Sequence, residues 1–375
     1  MKKKFLFLLG ILMIVSVACS LTGNASPTQK ALPTITLNLP TISPATPTTA
    51  ILPTSTTAVG TPPLPGILPD YSSSVYLDDR STPAALVLSY ANAISRHEYL
   101  RAYYYWINPL DYLGTLKNFS DLLTNVSSVQ VNFGSIASEG AAGSLYYTVP
   151  AVLRYTKADN TIDRYAACFL VRLPQPGNYG APPINPMNID RGITELLNSS
   201  VTDDGALASV CTAPDYANGG LPGSAVTFES LADLSSSNYI DNRSGAVEVV
   251  SSLINAINRK EYVRAYSYWE NPSITPGDYN TYASGFNDTQ SITATFGTVT
   301  SDAGAGQWYY QIPVAQVVQT TSATIKTYVG CYTLHISNPG IQATPPFRPL
   351  AIKDGHFSLV ANGSNISNLL TTACN

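Results

Sequence analysis

Charged residues are scarce in this sequence. Asp, Glu, Lys and Arg together make up 12% of its 375 residues, whereas about 25% is usual in soluble proteins. A protein that neutralises nucleic-acid phosphates needs clustered Lys and Arg, and the sequence has no such cluster outside its N-terminus. The composition therefore predicts no nucleic-acid partner and a surface hydrated mainly by Ser, Thr, Asn and Tyr.

Histidine and the common catalytic motifs are also missing or rare. The chain has three histidines, His97, His335 and His356, and no two of them stand at a spacing typical of metal ligands. It contains no Gly-x-Ser-x-Gly motif, no P-loop and no dinucleotide-binding glycine pattern. We therefore predict no metal site and no cofactor, and hydrolase or nucleotide-binding functions lose their usual sequence support.

The N-terminus has the composition of an export signal. Lys2 to Lys4 precede an apolar run, residues 5–17, that is too short to span a membrane comfortably, and Ala18-Cys19 follows. Residues 1–18 resemble a bacterial lipoprotein signal peptide, although Ser16 stands where that pattern prefers an aliphatic residue. The resemblance implies acylation of Cys19 and attachment to the cell membrane. An ordinary secretory signal or a retained anchor are the alternatives, and all three place the rest of the chain outside the cytoplasm.

A segment rich in Thr, Pro, Ser and Ala follows, at residues 19–70. Its only charge before Asp70 is Lys30, and it lacks the periodic apolar face that would offset the entropy of ordering it. We predict a disordered stalk. At about 3.1 Å per residue in the polyproline conformation, it would reach on the order of 150 Å when fully extended.

The rest of the chain contains an internal repeat: two similar sequence copies are related by an offset of 163 residues without a gap. The offset carries Arg101 onto Arg264 within the most similar stretch, residues 84–109 and 247–272. It also relates the following pairs: Tyr76 and Tyr239, Gly134 and Gly297, Pro182 and Pro345, Cys168 and Cys331, Cys211 and Cys374. We therefore predict two domains, copy 1 at residues 71–211 and copy 2 at residues 234–375, joined by a linker at residues 212–233.

The cysteine count fits this organisation. If Cys19 carries lipid, four cysteines remain, two at equivalent places in each copy. The economical pairing joins Cys168 to Cys211 and Cys331 to Cys374. The alternative, four reduced buried thiols, fits an exported protein poorly.

Each copy begins with a helical pattern and continues with strand patterns. In copy 1, apolar residues recur at helical spacing before and after Arg96-His97-Glu98, which predicts two helices with a tight break. Runs rich in Tyr, Val and Ile then predict strands at 129–133, 144–155, 161–173 and 187–189, with a hairpin turn at Asp159-Asn160. Helices followed by antiparallel strands predict an α+β fold, with a helical pair packed on a curved sheet.

The sequence around the helical break resembles a known family. Residues 256–268, Ala-Ile-Asn-Arg-Lys-Glu-Tyr-Val-Arg-Ala-Tyr-Ser-Tyr, and their twin at 93–105 look like the first helical pair of nuclear-transport-factor-2-like domains. This cystatin-like cone also occurs in ketosteroid isomerases. The resemblance implies the cone fold, but the family includes enzymes, binding proteins and structural proteins. Its catalytic residues match no motif here, so no catalytic residue is carried over.

Acidic residues near the helical break are the first candidates for acid–base chemistry. Glu98 and Glu261 occupy equivalent positions, but each stands three residues before an arginine, which favours pairing with Arg101 and Arg264 and a favourable interaction with the helix dipole. Asp163 is replaced by Lys326 in copy 2, which argues against an acid–base mechanism common to both copies.

Tyrosine is abundant, with 24 residues. Tyr99, Tyr103 and Trp106 share a helix face, which is typical of a core. Adjacent tyrosines on a strand must point to opposite faces, so one of each pair is predicted to face outward. A low-charge aromatic surface can stack on sugars or contact proteins, and its candidate residues are Tyr105, Tyr146, Tyr147, Tyr268, Tyr309 and Tyr310.

These observations predict a membrane-anchored lipoprotein outside the cytoplasm with a non-catalytic binding or scaffolding role. Its partner would be a protein, a glycan or a small apolar ligand. An enzyme of the ketosteroid-isomerase type would instead need a buried, isolated carboxylate facing a cavity. A purely structural spacer would need cones filled with side chains.

Overall fold

The computed structural model describes residues 75–212, 224–226 and 238–375. The predicted signal peptide at 1–18, the lipidation site Cys19 and the stalk at 19–70 lie outside the described residues, as does most of the predicted linker. Within that linker, the backbone of Ser224–Val226 forms a short strand that pairs with residues 136–138.

Copy 1 has helices at both ends of a run of strands. The helices are α1 Pro83–Ser95, α2 Tyr99–Tyr103, α3 Pro109–Leu113, α4 Leu116–Leu122 and α5 Asp203–Ser209. The strands are β1 Val126–Phe133, β2 Ile136–Ala141, β3 Ser144–Lys157, β4 Ile162–Pro174 and β5 Asn188–Leu196, and β6 is Ser224–Val226.

Copy 2 follows the same order. Its helices are α6 Ala246–Asn258, α7 Tyr262–Tyr266, α8 Tyr279–Ser284 and α9 Ile366–Leu370. Its strands are β7 Thr289–Phe296, β8 Thr300–Gly304, β9 Gln307–Thr320, β10 Ile325–Ser337 and β11 Ala351–Val360.

Each copy contains one open antiparallel sheet. In copy 1 the order is β5-β4-β3-β2-β6, and β1 pairs with the second half of β3; in copy 2 it is β11-β10-β9-β7, and β8 pairs with the first half of β9. The change of partner occurs where Gly134 N–H donates to Pro150 O and Gly297 N–H donates to Pro313 O. A Cβ at either glycine would lie close to the proline ring, 3.2 Å away in copy 1 and 2.8 Å in copy 2, where the ring would have to shift. Mixed helices and antiparallel sheets confirm the α+β class.

The helical break follows from local backbone chemistry. Thr82 accepts a hydrogen bond from Ala85 N, and Pro83 occupies the first turn of α1, as expected for a helix start. His97 and Lys260 adopt left-handed backbone conformations, with φ of 57° and 61°, which end α1 and α6 and redirect the chain into the second helix. The second helix is shorter than predicted, because Trp106 and Trp269 leave it to pair with Ile189 and Ile352.

Several elements were not predicted, or were predicted too short, from the sequence patterns. The segment that forms β2 contains Ala, Ser, Glu and Gly, which favour strands weakly, and one of its residues, Ile136, is buried. Its pairing with β3 and β6 supplies the structure that its composition does not. The strand predicted at 187–189 extends to Leu196, since β5 pairs along most of β4.

Two hydrophobic layers cover the sheet of each copy. On one face, α1 or α6 packs against the long strands and forms the larger core. On the other face a smaller cluster lies beneath α5 or α9. The disulfides Cys168–Cys211 and Cys331–Cys374 attach the C-terminal helix to the sheet on this smaller side.

The disulfides indicate the cellular compartment of the protein. Both predicted pairs are present, and such bonds are typical of oxidising compartments, so the structure favours a place outside the cytoplasm. The described part of the chain has no helix with both the length and the apolarity that a membrane crossing requires.

Removing either disulfide should destabilise the protein by about 4 kcal/mol, because each closes a loop of 43 residues. The double variants Cys168→Ala/Cys211→Ala and Cys331→Ala/Cys374→Ala are to be compared with the parent by urea unfolding of the full chain. A loss below about 1 kcal/mol in both would contradict a stabilising role.

Candidate functional site

The two copies meet through a short, reciprocal backbone pairing that we call the seam, residues 78–81 and 241–244. Asp79 pairs with Asn242 in an antiparallel bridge. Four hydrogen bonds repeat across the pseudo-twofold: Arg80 N to Asp241 O (2.7 Å), Arg243 N to Asp78 O (2.6 Å), Asp78 N to Ser244 Oγ (2.9 Å) and Asp241 N to Ser81 Oγ (3.0 Å). The repeat therefore forms a symmetric pair of domains rather than two independent units.

Behind the seam, each copy buries an ion pair at the helical break. Arg101 is fully buried, and its guanidinium lies 2.6 Å from Glu98 Oε2. It also donates to Asn92 Oδ1 at 2.9 Å and to the hydroxyl of Tyr105 at 3.1 Å. Arg264 and Glu261 repeat this arrangement in copy 2. The predicted pairing is confirmed, and neither glutamate side chain accepts a capping bond from the following helix.

Tyr105 and Tyr268 belong to this network, so their prediction as an exposed aromatic surface is wrong. Both are fully buried. Their hydroxyls donate to Asp78 Oδ1 at 2.8 Å and to Asp241 Oδ1 at 3.0 Å. Burial raises the pKa of both phenols, and the neighbouring aspartates raise it further. Each tyrosine links the ion pair of its copy to the seam.

Arginines from both copies act on Asp241. Burial disfavours its ionised form, but Arg243, Arg264 and Arg80 together outweigh this, and the pKa of the carboxyl lies below its ordinary value. Tyr268 contributes by donating a hydrogen bond. Because Arg80 comes from copy 1, the electrostatic network continues across the seam.

Copy 1 contains an open, largely aromatic cavity of about 330 Å³. Its aromatic wall consists of Tyr90, Trp106, Tyr112, Phe119, Tyr155, Tyr165 and Phe169. Trp106 stands at the centre of this group: it stacks on Tyr112 at 5.7 Å between ring centroids and meets Tyr90 and Phe169 edge-on, both at 6.1 Å. Its indole N–H is buried beside the hydroxyl of Tyr90, without a hydrogen bond of normal geometry.

The carboxylate in this cavity is not isolated. Asp163 pairs with Lys157 at 2.7 Å, and both side chains are about one-third exposed (33% and 34%). The ion pair therefore forms part of the cavity's hydrated rim. This geometry lacks the buried, unpaired carboxylate that a ketosteroid-isomerase-type mechanism requires.

The equivalent part of copy 2 is filled differently. Leu253 and Val318 stand where copy 1 has Tyr90 and Tyr155, and Phe357 replaces Thr194. Phe357 packs on Tyr332 with 4.7 Å between ring centroids, and Gln316 donates to the Tyr332 hydroxyl at 3.1 Å. The remaining space of about 260 Å³ is lined by residues such as Asp288, Gln316, Thr320 and Lys326.

The four strand tyrosines divide between the two faces, as their alternation predicts. Tyr147 and Tyr310 contact the larger cores, while Tyr146 lies on the opposite face beneath Arg172, 5.7 Å from ring centroid to guanidinium carbon. Tyr309 stacks on His335 at 4.7 Å, and Lys353 Nζ lies 4.8 Å from its ring. All four are half-buried, and a binding role for them stays a prediction.

Comparison with known proteins adds no relative. No protein-family model matches the chain, and no curated protein matches it significantly. Over the described residues, no three His, Cys, Asp or Glu side chains are grouped so that they could hold a metal ion.

Neither the seam nor the aromatic cavity was predicted from the sequence. Asp78 and Arg80 recur as Asp241 and Arg243 at the same offset of 163, so the repeat itself carried a signal for the seam. The cavity had a different signal, namely equivalent positions at which the side chains of the two copies differ in size, above all Thr194 and Phe357.

The depressed pKa of Asp241 predicts how the stability of the protein changes at acidic pH. Since its folded-state pKa is depressed, its stabilising contribution is fully present above the unfolded pKa of about 3.9 and is lost as pH falls through the folded value. The Asp241→Asn variant should lose roughly 3–5 kcal/mol at pH 6 and show a weaker decline in stability from pH 5 to pH 2.5.

Urea unfolding at each pH measures both quantities. Tyr268→Phe removes one hydrogen bond to Asp241 and should give a smaller change in the same direction. Parallel pH curves for Asp241→Asn and the parent would contradict the assignment.

Proposed function

We propose that this protein is an extracytoplasmic lipoprotein, anchored through Cys19, that binds a small apolar ligand in the cone of copy 1 without catalysis. The aromatic cavity of about 330 Å³ is the observation that carries the proposal. Ligand sites are commonly concave, mainly apolar and about 300–1,000 Å³ in volume. This cavity lies at the small end of that range, which favours a ligand of one or two rings.

The polar groups of the cavity favour binding over chemistry. The indole N–H of Trp106 is a donor only and cannot act as a base. Asp163 is engaged by Lys157. An enzyme of the ketosteroid-isomerase type is the alternative, and it would have to break this ion pair to obtain a base.

We also propose that both copies are nuclear-transport-factor-2-like domains. The helical pair, the change of strand partner beside Gly134 and Gly297 and the antiparallel strand order support this assignment. In this proposal copy 2 acts mainly as a scaffold, because Phe357 takes part of the space that Thr194 leaves in copy 1 and the remaining 260 Å³ is bordered by polar and charged side chains such as Asp288 and Lys326. A purely structural spacer would have both cones filled, and the open cone of copy 1 argues against it.

Filling the cavity should abolish ligand binding. Thr194→Phe introduces the residue that copy 2 has at this position and should weaken binding of the naphthyl ketone Prodan at least ten-fold, since its ring would occupy the space near Tyr165 and Phe169. Fluorescence titration of the full chain measures the affinity.

Thr194→Ser is the matched control and should bind like the parent, because it keeps the cavity open. If the Phe variant binds Prodan as tightly as the parent, or if the parent does not bind it, the cone of copy 1 is not the site.

The anchor has its own test. Cys19→Ser should move the protein from the membrane fraction to the soluble fraction of the producing bacterium, because the serine cannot carry the thioether-linked lipid. Immunoblotting of the fractions and the mass of the N-terminal peptide check this. Membrane retention of the variant without any acyl mass in the parent would instead support a retained anchor.

A further inference from the structure

A second space, larger than the cone, lies between the copies. This cleft has a volume of about 650 Å³, and its walls include Arg80, Trp106 and Arg172 of copy 1 with Arg243 and Phe347 of copy 2. We infer that the cleft binds a small molecule in which a carboxylate is attached to a flat apolar group. This site is distinct from the proposed cone site and requires both copies.

The charge of the walls favours an anion. Three arginines line the cleft, whereas one acid, Asp78, does so. Arg80 and Arg243 are fixed and already paired: Arg80 lies 3.7 Å from Asp78 Oδ1 and over the Tyr105 ring, and Arg243 lies 3.6 Å from Asp241 Oδ1 and over the Tyr268 ring. Because these aspartates balance their charges, recognition of a carboxylate falls to the third arginine.

Arg172 is the arginine that remains available for a ligand. Its Nε–H donates to Ser144 Oγ at 3.1 Å, and its guanidinium carbon lies 5.7 Å from the centroid of Tyr146. Across the described ranges, no acidic side chain forms an ion pair with it. A guanidinium that keeps free donors beside a cleft is suited to bidentate recognition of a carboxylate.

Copy 2 shows how the position of Arg172 is arranged when its side chain bonds to other residues of the same domain. Arg172 and Ile107 correspond to His335 and Glu270. In copy 2, His335 Nδ1 lies 2.9 Å from Glu270 Oε1, and its Nε2 lies 2.7 Å from Gln307 Oε1. Copy 1 has an arginine in place of the histidine and Ile107 in place of Glu270, so the guanidinium has no carboxylate partner at this position.

The remaining walls are apolar and partly aromatic. Tyr104 of copy 1 and Phe347 of copy 2 face each other with 6.5 Å between ring centroids. Trp106, Ile107 and Pro345 extend this surface. Tyr104 is 39% exposed and Ile107 is 36% exposed, so solvent reaches this surface. A flat apolar group can bury it while the attached carboxylate meets Arg172.

Benzoate and its neutral analogue benzamide test the inference on the full chain. Benzoate should bind at least ten-fold more tightly than benzamide, and its affinity should fall as salt rises. Arg172→Ala should reduce benzoate affinity about ten-fold and leave benzamide unchanged. Titrations followed by saturation-transfer NMR give these affinities.

Three controls separate the possible outcomes. His335→Ala changes the equivalent position of copy 2 and should leave benzoate binding intact. Thr194→Phe should also leave it intact, which distinguishes the cleft from the cone. Arg172→Lys, which keeps the charge but not the bidentate geometry, should lie between the parent and the Ala variant.

Equal affinities for benzoate and benzamide, an absence of benzoate binding, or an Arg172→Ala variant that binds benzoate like the parent would each overturn the inference. The preference for benzoate and its salt dependence are measured on the unmodified protein, so they decide the question even if a variant folds poorly.

Discussion

Much of this structure depends on keeping buried arginines paired. Arg101 and Arg264 have almost no contact with solvent, and a buried charge that lacks its partner costs several kcal/mol. Each is held by a glutamate at the helical break and by a tyrosine that in turn binds a seam aspartate. The ion pair therefore fixes the angle between the first two helices, and the tyrosine transmits that position to the seam. The same series of contacts is present in both copies, so the two networks meet at the seam.

This shared framework allows the copies to differ elsewhere. The seam, the helical break and the glycine–proline contact are repeated, whereas the linings of the two cavities are not. In copy 1, Thr194 borders a space of about 330 Å³ among aromatic rings; in copy 2, Phe357 takes part of this space and about 260 Å³ remains, bordered in part by Asp288 and Lys326. Duplication thus gives two domains with one framework and differently lined cavities.

The sequence predicted the features that depend on local pattern or on exact repetition. The α+β class, the helical break before Tyr99, the turn at Asn160 and both disulfides follow from periodicity, turn chemistry and cysteine positions. The burial of Tyr105 could not be predicted in this way, because it depends on Asp78, which is distant in sequence. The strand β2 was missed for a similar reason: its residues favour strands weakly, and its pairing partners determine its conformation. The aromatic cavity of copy 1 depends on the combined side-chain volumes of several strands and helices, which no local sequence pattern predicts.

The aromatic cavity of copy 1 and the cleft between the copies share one wall. Trp106 lines both spaces, and its position is fixed by the backbone around it: Ile107 N–H donates to Ile189 O at 2.9 Å, and Ile189 N–H donates to Tyr105 O at 2.8 Å. The residue before Trp106 is Tyr105, which binds the seam aspartate. A displacement of the seam would therefore move the indole that separates the two spaces. Thr194 lines the aromatic cavity and Arg172 lines the cleft, and neither lines both, so each space can be altered by a substitution away from their common wall.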